Sequence, residues 1–191
     1  MRDSTKTTFT EGNSLAGRLL LAHPVLKDEN FRRTAVLISS HDAQGAMGVV
    51  LNRPLAKKLG ELGGDFALGP LAQVPVFDGG PVARRQIIIC AWRRHAGDDE
   101  ENYELLFGLD RNRANDLAGQ ADVQLRAYLG HAGWSAGQLE GELQRDTWVI
   151  AELETDVIQH PADETLWRRV LGGLDAQWRL LADEPDEPGR N

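Results

Sequence analysis

The sequence predicts a single domain of mixed α+β fold in which most neighbouring strands are antiparallel. Short apolar runs of strand length recur along the chain, and several are joined by turns too short for a crossover, which favours antiparallel pairs. Helical segments lie among these runs without the regular strand–helix alternation of a doubly wound sheet. The 191 residues, 41% of them hydrophobic, are enough to bury one core.

The first third of the chain predicts three strands and then a helix. The strand-length apolar runs are Arg18–Ala22, Thr34–Ser39 and Gly48–Leu51. The polar stretch His41–Gly45 lies between the last two runs and predicts the turn of a β-hairpin. Pro54 has no N–H for a strand ladder, so we expect the third strand to end there. Leu55–Leu62 has leucines at helical spacing and is followed by Gly63, which predicts a helix.

The remainder of the chain alternates predicted strands with predicted helices. The strands are Pro75–Phe77, Gln86–Ala91, Tyr103–Phe107, Val123–Leu129 and Thr147–Ala151. The helices are a short one over Arg111–Leu117, one after the capping-box pattern Ser135-x-x-Gln138, and a long amphipathic one over Asp163–Leu181. We expect Arg93–Asn102 to form an exposed loop and Gly130–Ala132 a turn, with Ser135 as the helix N-cap.

The two ends of the chain differ in composition from the rest. Residues 1–13 are polar and predict a flexible leader, 14–182 form the domain, and 183–191 predict a flexible acidic tail. The leader has no apolar signal segment, and no run approaches the roughly 20 apolar residues of a membrane span. The single cysteine, Cys90, lies in an apolar run and is expected to be a buried thiol. These features predict a cytoplasmic protein that does not enter a membrane.

The charge balance bears on the choice of partner. The formal charge of −8 opposes direct binding to nucleic acid, which is itself a polyanion. Four arginine pairs occur nonetheless: Arg32-Arg33, Arg84-Arg85, Arg93-Arg94 and Arg168-Arg169. We interpret them as solvated faces that pair with the many carboxylates, with an anion-binding patch as the alternative.

Three polar segments are candidates for a ligand or partner surface. They are His41, the pair Asn52-Arg53, and the turn Asp78-Gly79-Gly80-Pro81. His41 could transfer a proton, but a turn histidine that hydrogen-bonds backbone is the simpler explanation. Arg53 could hold an anion, but a structural role is the simpler explanation for the pair Asn52-Arg53, with bonds to local backbone at the strand end. An Asx-turn is the simpler explanation for Asp78. Gly79 and Gly80 predict backbone angles that other residues avoid.

No metal, cofactor or catalytic motif is predicted. The five histidines form no H-x-x-x-H pair, no second cysteine is available, and no phosphate-binding glycine loop occurs. Gly133-Trp134-Ser135-Ala136-Gly137 matches the letters of a nucleophile elbow, but no apolar run leads directly into it. The sequence therefore favours a protein that is not an enzyme.

Five segments in order resemble the YqgE/AlgH family of bacterial proteins. They are Leu19–Pro24, Asn30–Leu37, His41–Pro54, Pro75–Val82 and Gly130–Glu140, and the match extends from Leu15 to about Trp178. The resemblance implies an α+β domain with a barrel-like, partly split β-sheet flanked by helices. It also implies a cytosolic bacterial protein linked to transcriptional control through alginate production. It implies no activity, and no catalytic or binding residues come with it.

Two functions remain open at this point. The preferred one is a non-enzymatic regulatory or adaptor protein that acts through a protein or a small ligand. The alternative is an enzyme of unknown reaction that binds a small molecule in a pocket between the His41 loop and the Asp78–Pro81 turn. In that case His41 would be the acid–base group and Arg53 the anion holder.

Overall fold

The computed structural model describes residues 14–95, 102–154, 157–158 and 162–184, which form a strongly curled half-barrel sheet with helices against it. Within these residues the strands are β1 Leu19–Ala22, β2 Ala35–Asp42, β3 Gly45–Val50, β4 Pro54–Lys58, β5 Pro75–Asp78, β6 Val82–His95, β7 Asn102–Leu109, β8 Val123–Ser135 and β9 Trp148–Ala151. The α-helices are α1 Arg111–Leu117, α2 Gln138–Gln144, α3 Thr165–Leu174 and α4 Ala176–Asp183. Among these residues, no helix is long and apolar enough to cross a membrane.

The long strand β8 divides the sheet into two halves. Its first half lies between β5 and β6, so that Ala127 faces both Val76 and Ile89. Its second half pairs with β3, where Ala132 faces Gly48. One half-sheet therefore runs β4-β5-β8-β6-β7 and the other β8-β3-β2-β1-β9. Among the described strands only the β5–β8 pair is parallel, which confirms the prediction of a mixed α+β fold with a largely antiparallel, split sheet.

Glycines allow two chain segments to cross where the sheet splits. A Cβ on Gly79 would lie 2.3 Å from the carbonyl oxygen of Gly130, and one on Gly80 would lie 2.4 Å from the carbonyl carbon of His131. Gly80 also has a φ of +139°, which residues with a Cβ rarely adopt. The β5–β6 connection can therefore pass directly against β8 because neither glycine has a side chain.

Apolar side chains fill the inside of the curl, and α3 closes it. Leu19 and Leu37 from the sheet and Leu51 directly after β3 are fully buried there, together with Leu166 and Trp167 from α3. The indole Nε1 of Trp167 donates to the carbonyl oxygen of Ala22 at 2.8 Å. The predicted apolar stripe of this helix therefore covers the core.

The helix predicted over Leu55–Leu62 is wrong. Pro54–Lys58 forms the edge strand β4, and only Leu59–Leu62 makes a short 3₁₀ turn. Pro54 therefore begins a strand here, separated from the end of β3 by three residues, at an edge where a missing N–H costs little. Pairing with β5 and a φ of +51° at Ala56 replace the helical conformation that the leucine spacing suggested.

The long helix predicted over Asp163–Leu181 is two helices. Asp175 adopts an extended conformation between α3 and α4, and its carboxylate accepts a hydrogen bond from the N–H of Trp178 at 2.9 Å. The chain therefore reverses, and a Cβ on Gly172 would lie 3.5 Å from the Cα of Arg179. A good N-cap outweighs the continuous apolar stripe at this point.

Gly130–Ala132 is not a turn, because β8 continues through it to Ser135 while pairing with β3 and β6. Ser135 is not the N-cap of α2. That position is Gly137, and both the N–H and the hydroxyl of Ser135 bond to Oε1 of Gln138, at 3.1 and 3.2 Å.

Three further expectations involve the limits of the described chain. The predicted loop Arg93–Asn102 begins and ends within strands, because β6 extends to His95 and β7 starts at Asn102, and residues 96–101 lie outside the described part. The leader 1–13 and residues 185–191 of the tail also lie outside it. Asp183, assigned to the tail, is the last residue of α4.

Candidate functional site

The structure places the predicted site residues at opposite ends of the β2–β3 hairpin. His41 lies at the turn end of the hairpin, opposite Ala46. Asn52 lies at the other end, where it bonds to Ala35. His41 comes six residues after Ala35 along β2, a separation of roughly 20 Å at strand rise. His41 and the Asn52-Arg53 pair therefore do not line one pocket.

His41 joins the start of the domain to α2. Its Nδ1 accepts a hydrogen bond from the N–H of Leu15 at 3.0 Å, so the ring proton is on Nε2, which lies 3.0 Å from Oε1 of Glu140. The side chain of His41 is only 6% exposed. Hydrogen bonds from its own backbone N–H and from His41 lower the pKa of Glu140. Both ring nitrogens are thus engaged within the protein.

Asn52 is buried and bonds only to backbone in the described structure. Its Oδ1 accepts from the N–H of Ala35, and its Nδ2 donates to the carbonyl oxygen of Arg33, both at 2.9 Å. Arg33 has a φ of +53°, an uncommon conformation for a residue with a side chain. Asn52 therefore holds the bend that leads into β2.

Arg53 and Asp78 are neighbours where the two half-sheets meet. The N–H of Asp78 donates to the carbonyl oxygen of Arg53 at 2.9 Å, and the Asp78 carboxylate accepts from the N–H of Gly80 at 3.1 Å, which is the expected Asx-turn. Burial lowers the pKa of Arg53, while attraction to Asp78 acts in the opposite direction. Gly79 and Gly80 lie at the same junction, where they allow the β5–β6 connection to cross close to β8.

Two arginines from different segments fix the loop between β1 and β2. Nη2 of Arg53 donates to the carbonyl oxygen of Glu29 at 2.9 Å, and Nη2 of Arg84 donates to Oδ1 of Asn30 at 2.9 Å. The same loop carries Arg32, whose carbonyl oxygen lies 3.5 Å from Nη2 of Arg53. These contacts bring Arg32, Arg53 and Arg84, here called the arginine cluster, to one surface.

The charges of this cluster interact. The positive charges of Arg32 and Arg84 lower the pKa of Arg53 further, and Asp28, like Asp78, raises it. Arg32 and Arg84 are exposed, and Arg53 is partly exposed. The sequence shows the pairs Arg32-Arg33 and Arg84-Arg85 but not their proximity to Arg53, because that proximity depends on how β2, β4 and β6 are arranged.

Glu142 was not singled out from the sequence, although it organises a tryptophan cluster. Its Oε2 accepts from the indole Nε1 of Trp134 at 2.9 Å and of Trp148 at 2.7 Å. The two rings meet edge to face with centroids 5.9 Å apart, and Phe31 packs against both. The sequence offered one indication of this role, because Glu142 lies on the inner side of the α2 helix, where a carboxylate needs donors.

No group of three or more histidine, cysteine, aspartate or glutamate side chains is placed to hold a metal ion in the part of the chain that the structure covers. Cys90 is fully buried there, and burial raises the pKa of its thiol to about 12. The buried cysteine expected from the apolar run is confirmed.

Comparison with known proteins identifies relatives along nearly the whole chain. A family model described as AlgH-like matches residues 19–179. A UPF0301 protein of Streptomyces coelicolor is 38% identical, with 96% of this chain and 98% of the relative aligned. A UPF0301 protein of Chlorobium phaeobacteroides is 34% identical, with 92% and 95% aligned.

Solved structures show the same fold. The solution structure of the AlgH protein from Pseudomonas aeruginosa is similar with a TM-score of 0.67 and 27% identity, over 94% of this chain and 98% of that one. A crystal structure of a Corynebacterium diphtheriae protein has a TM-score of 0.70 at 21% identity, over 95% and 98%, and supports the fold alone. The resemblance read from the five sequence segments is confirmed, and the chain belongs to the AlgH-like family of bacterial proteins.

Proposed function

We propose that this chain is a non-enzymatic adaptor or regulatory protein that binds an acidic segment of a partner protein at the arginine cluster. The observation that carries the proposal is the convergence of Arg32, Arg53 and Arg84 from three segments onto one surface. A guanidinium presents a planar set of donors that matches a carboxylate.

The local charge supports this choice. Among the described residues, the carboxylates of Asp78 and Asp28 attract the charge of Arg53, while Arg32 and Arg84 add two further positive charges beside it. The chain as a whole carries a formal charge of −8, so an acidic partner would be repelled elsewhere and attracted here. The proposal includes a cytoplasmic location, which a single buried cysteine suits, and an effect on transcription exerted through a partner and not through DNA.

The alternative, an enzyme with a pocket between the His41 loop and the Asp78–Pro81 turn, has little geometric support. Its acid–base candidate, His41, uses both ring nitrogens within the protein and lies at the far end of the hairpin from Arg53. General acid–base catalysis requires a group within hydrogen-bond reach of its substrate. Nothing in the described part of the chain favours this function over binding.

The test uses a fluorescein-labelled hexaglutamate peptide, with binding followed by fluorescence anisotropy. The full chain is compared with a double variant, Arg32→Ala with Arg84→Ala, which leaves the more buried Arg53 in place. Loss of two exposed charged contacts at up to about 1 kcal/mol each should weaken binding by roughly tenfold, and the loss should shrink as salt is raised. Circular dichroism would verify that the variant is folded.

A matched control is the double variant Arg113→Ala with Arg145→Ala, which removes two exposed arginines outside the cluster. It should bind the peptide as the parent does. Equal affinity of the cluster variant and the control, or no binding by the parent, would reject the arginine cluster as the site. Tighter binding to a labelled DNA duplex than to the peptide would reject the proposed class of partner.

A further inference from the structure

A charged residue, Arg126, lies on the face of β8 that points into the curled sheet. It is 3% exposed. Because alternate residues of a strand share a face, Gln124 and Tyr128 lie on the same side as Arg126. Strand β6 places Cys90 opposite Arg126 and Trp92 opposite Gln124. The guanidinium is therefore surrounded by the side chains of a core.

Arg126 has only neutral partners in the described structure. Its Nη2 donates to the carbonyl oxygen of Ile158 at 3.2 Å and approaches Oε1 of Gln124 at 3.4 Å. Its guanidinium carbon lies 5.8 Å from the ring centroids of both Phe77 and Trp92. No carboxylate of the described residues lies within ion-pair distance. A buried cation without an anionic partner is strongly disfavoured.

Three buried donors of this cluster make no hydrogen bond of normal geometry, although the Arg126 side chain lies close enough to the Tyr128 hydroxyl to act on its pKa. They are Nη1 of Arg126, Nε1 of Trp92 and the hydroxyl of Tyr128. Trp92 is 1% exposed and Tyr128 is fully buried. Buried donors in folded proteins almost always have a partner. Three unpaired donors within one cluster, one of them charged, point to a shared acceptor that carries negative charge.

The neighbouring titratable groups do not supply that charge. Burial raises the pKa of the Cys90 thiol to about 12 and also raises the pKa of the Tyr128 hydroxyl, although Arg126 acts against both shifts. Both groups therefore stay protonated at neutral pH.

We propose that Arg126, Trp92 and Tyr128 form a binding site for a small carboxylate anion, whose oxygens accept hydrogen bonds from these donors. The rings of Phe77 and Trp92 would contact its carbon atoms. Gln124 is exposed and faces Trp92 across the strands, so the cluster lies one residue pair from solvent. This site is inside the sheet and shares no residue with the arginine cluster, so either proposal stands without the other.

The test follows the indole N–H signal of Trp92 by NMR in the ¹⁵N-labelled full chain. The chain has five tryptophans, and the Trp92→Phe variant identifies the signal to follow. Sodium acetate and sodium benzoate are titrated against sodium chloride and sodium phosphate at constant ionic strength. We expect a saturable shift of this signal with a carboxylate, together with a rise in Tm. No saturable shift, or one produced equally by chloride or by phosphate alone, would overturn the proposal.

Two variants assign the effect to the site. Arg126→Met should abolish carboxylate binding and leave Tm without carboxylate no lower than that of the parent, because it removes a buried unpaired charge. Tyr128→Phe removes only a hydroxyl and should weaken binding by roughly three- to tenfold, so it serves if Arg126→Met does not fold.

The control is Arg113→Met, an exposed arginine on α1. It should bind the carboxylate as the parent does. Equal carboxylate affinity in the parent and in both site variants would overturn the proposal.

Discussion

Single carboxylates stabilise this protein where they accept from buried donors. Glu142 is the clearest case, because one of its oxygens receives hydrogen bonds from two indole groups that are 6% and 5% exposed. Neither indole could reach bulk water easily if this acceptor were lost. A residue that looks like an ordinary helix glutamate in the sequence is therefore part of the core.

Glu142→Ala should lower the free energy of unfolding by about 2–4 kcal/mol, because it leaves two buried donors unpaired. Glu142→Gln keeps a neutral acceptor and should lose less. Urea denaturation followed by tryptophan fluorescence measures both. Glu164→Ala, at an exposed position before α3, is the control and should change stability by less than about 0.5 kcal/mol. A loss no larger for Glu142→Ala than for this control would contradict the assignment.

Cys90 gives a second prediction at this scale. Its thiol is fully buried and its pKa is raised to about 12, so almost no thiolate exists at pH 8. The native protein should resist Ellman's reagent at pH 8, and one thiol per chain should react once urea unfolds it. Rapid reaction of the native protein would show that the β6–β8 face opens readily.

At the scale of elements, the sequence predicted local pairing well and edge geometry poorly. The β2–β3 hairpin and α1 follow from local patterns, a polar turn between apolar runs and a short helical run, and both are confirmed. The helix prediction for residues 55–62 was wrong because the leucine spacing fits a helix. The conformation of this segment is instead set by pairing with β5, about twenty residues away. Sequence periodicity does not record such a distant partner.

The break at Asp175 was also missed, since the apolar stripe continues across it. Asp175→Ala should remove the N-cap of α4 and cost about 1 kcal/mol, whereas Asp175→Asn should cost less because it keeps an acceptor. Thermal unfolding by circular dichroism would show the difference. Equal Tm values for the Ala variant and the parent would mean that the carboxylate does not cap α4 in solution.

Contacts between residues far apart in the sequence were also missed at the candidate site. The sequence correctly predicted an Asx-turn at Asp78, because such a turn is local. It predicted that Asn52 bonds to local backbone, whereas its partners are Ala35 and Arg33, which come 17 and 19 residues earlier in the chain. It did not reveal that His41 bonds to Glu140, a residue 99 positions later. Nor did it show that Arg126 is buried, because a charged residue between Leu125 and Ala127 in an alternating strand normally faces solvent.

At the scale of the whole molecule, the glycine crossing controls how the two half-sheets join. Gly79→Ala would place a Cβ 2.3 Å from a backbone oxygen that cannot move without displacing β8. We expect a loss of several kcal/mol or failure to fold, measured by soluble yield and by urea denaturation.

Gly173→Ala is the matched control for this substitution. Nothing lies within 4 Å of its added Cβ, and an alanine within α3 should stabilise the protein by about 0.5–1 kcal/mol. If Gly79→Ala proved as stable as the control, the close crossing would be absent in solution.

Because β8 belongs to both half-sheets, its late position in the chain affects folding during synthesis. Until residue 135 has left the ribosome, β3 and β6 each have an unpaired edge. One edge of β1 also stays unpaired until β9 has been synthesised. Unpaired strand edges can pair with other chains, so the growing polypeptide is prone to aggregation during this part of its synthesis. Once β8 has been synthesised, it pairs with both β3 and β6 and so removes these two unpaired edges, one in each half-sheet, in a single step.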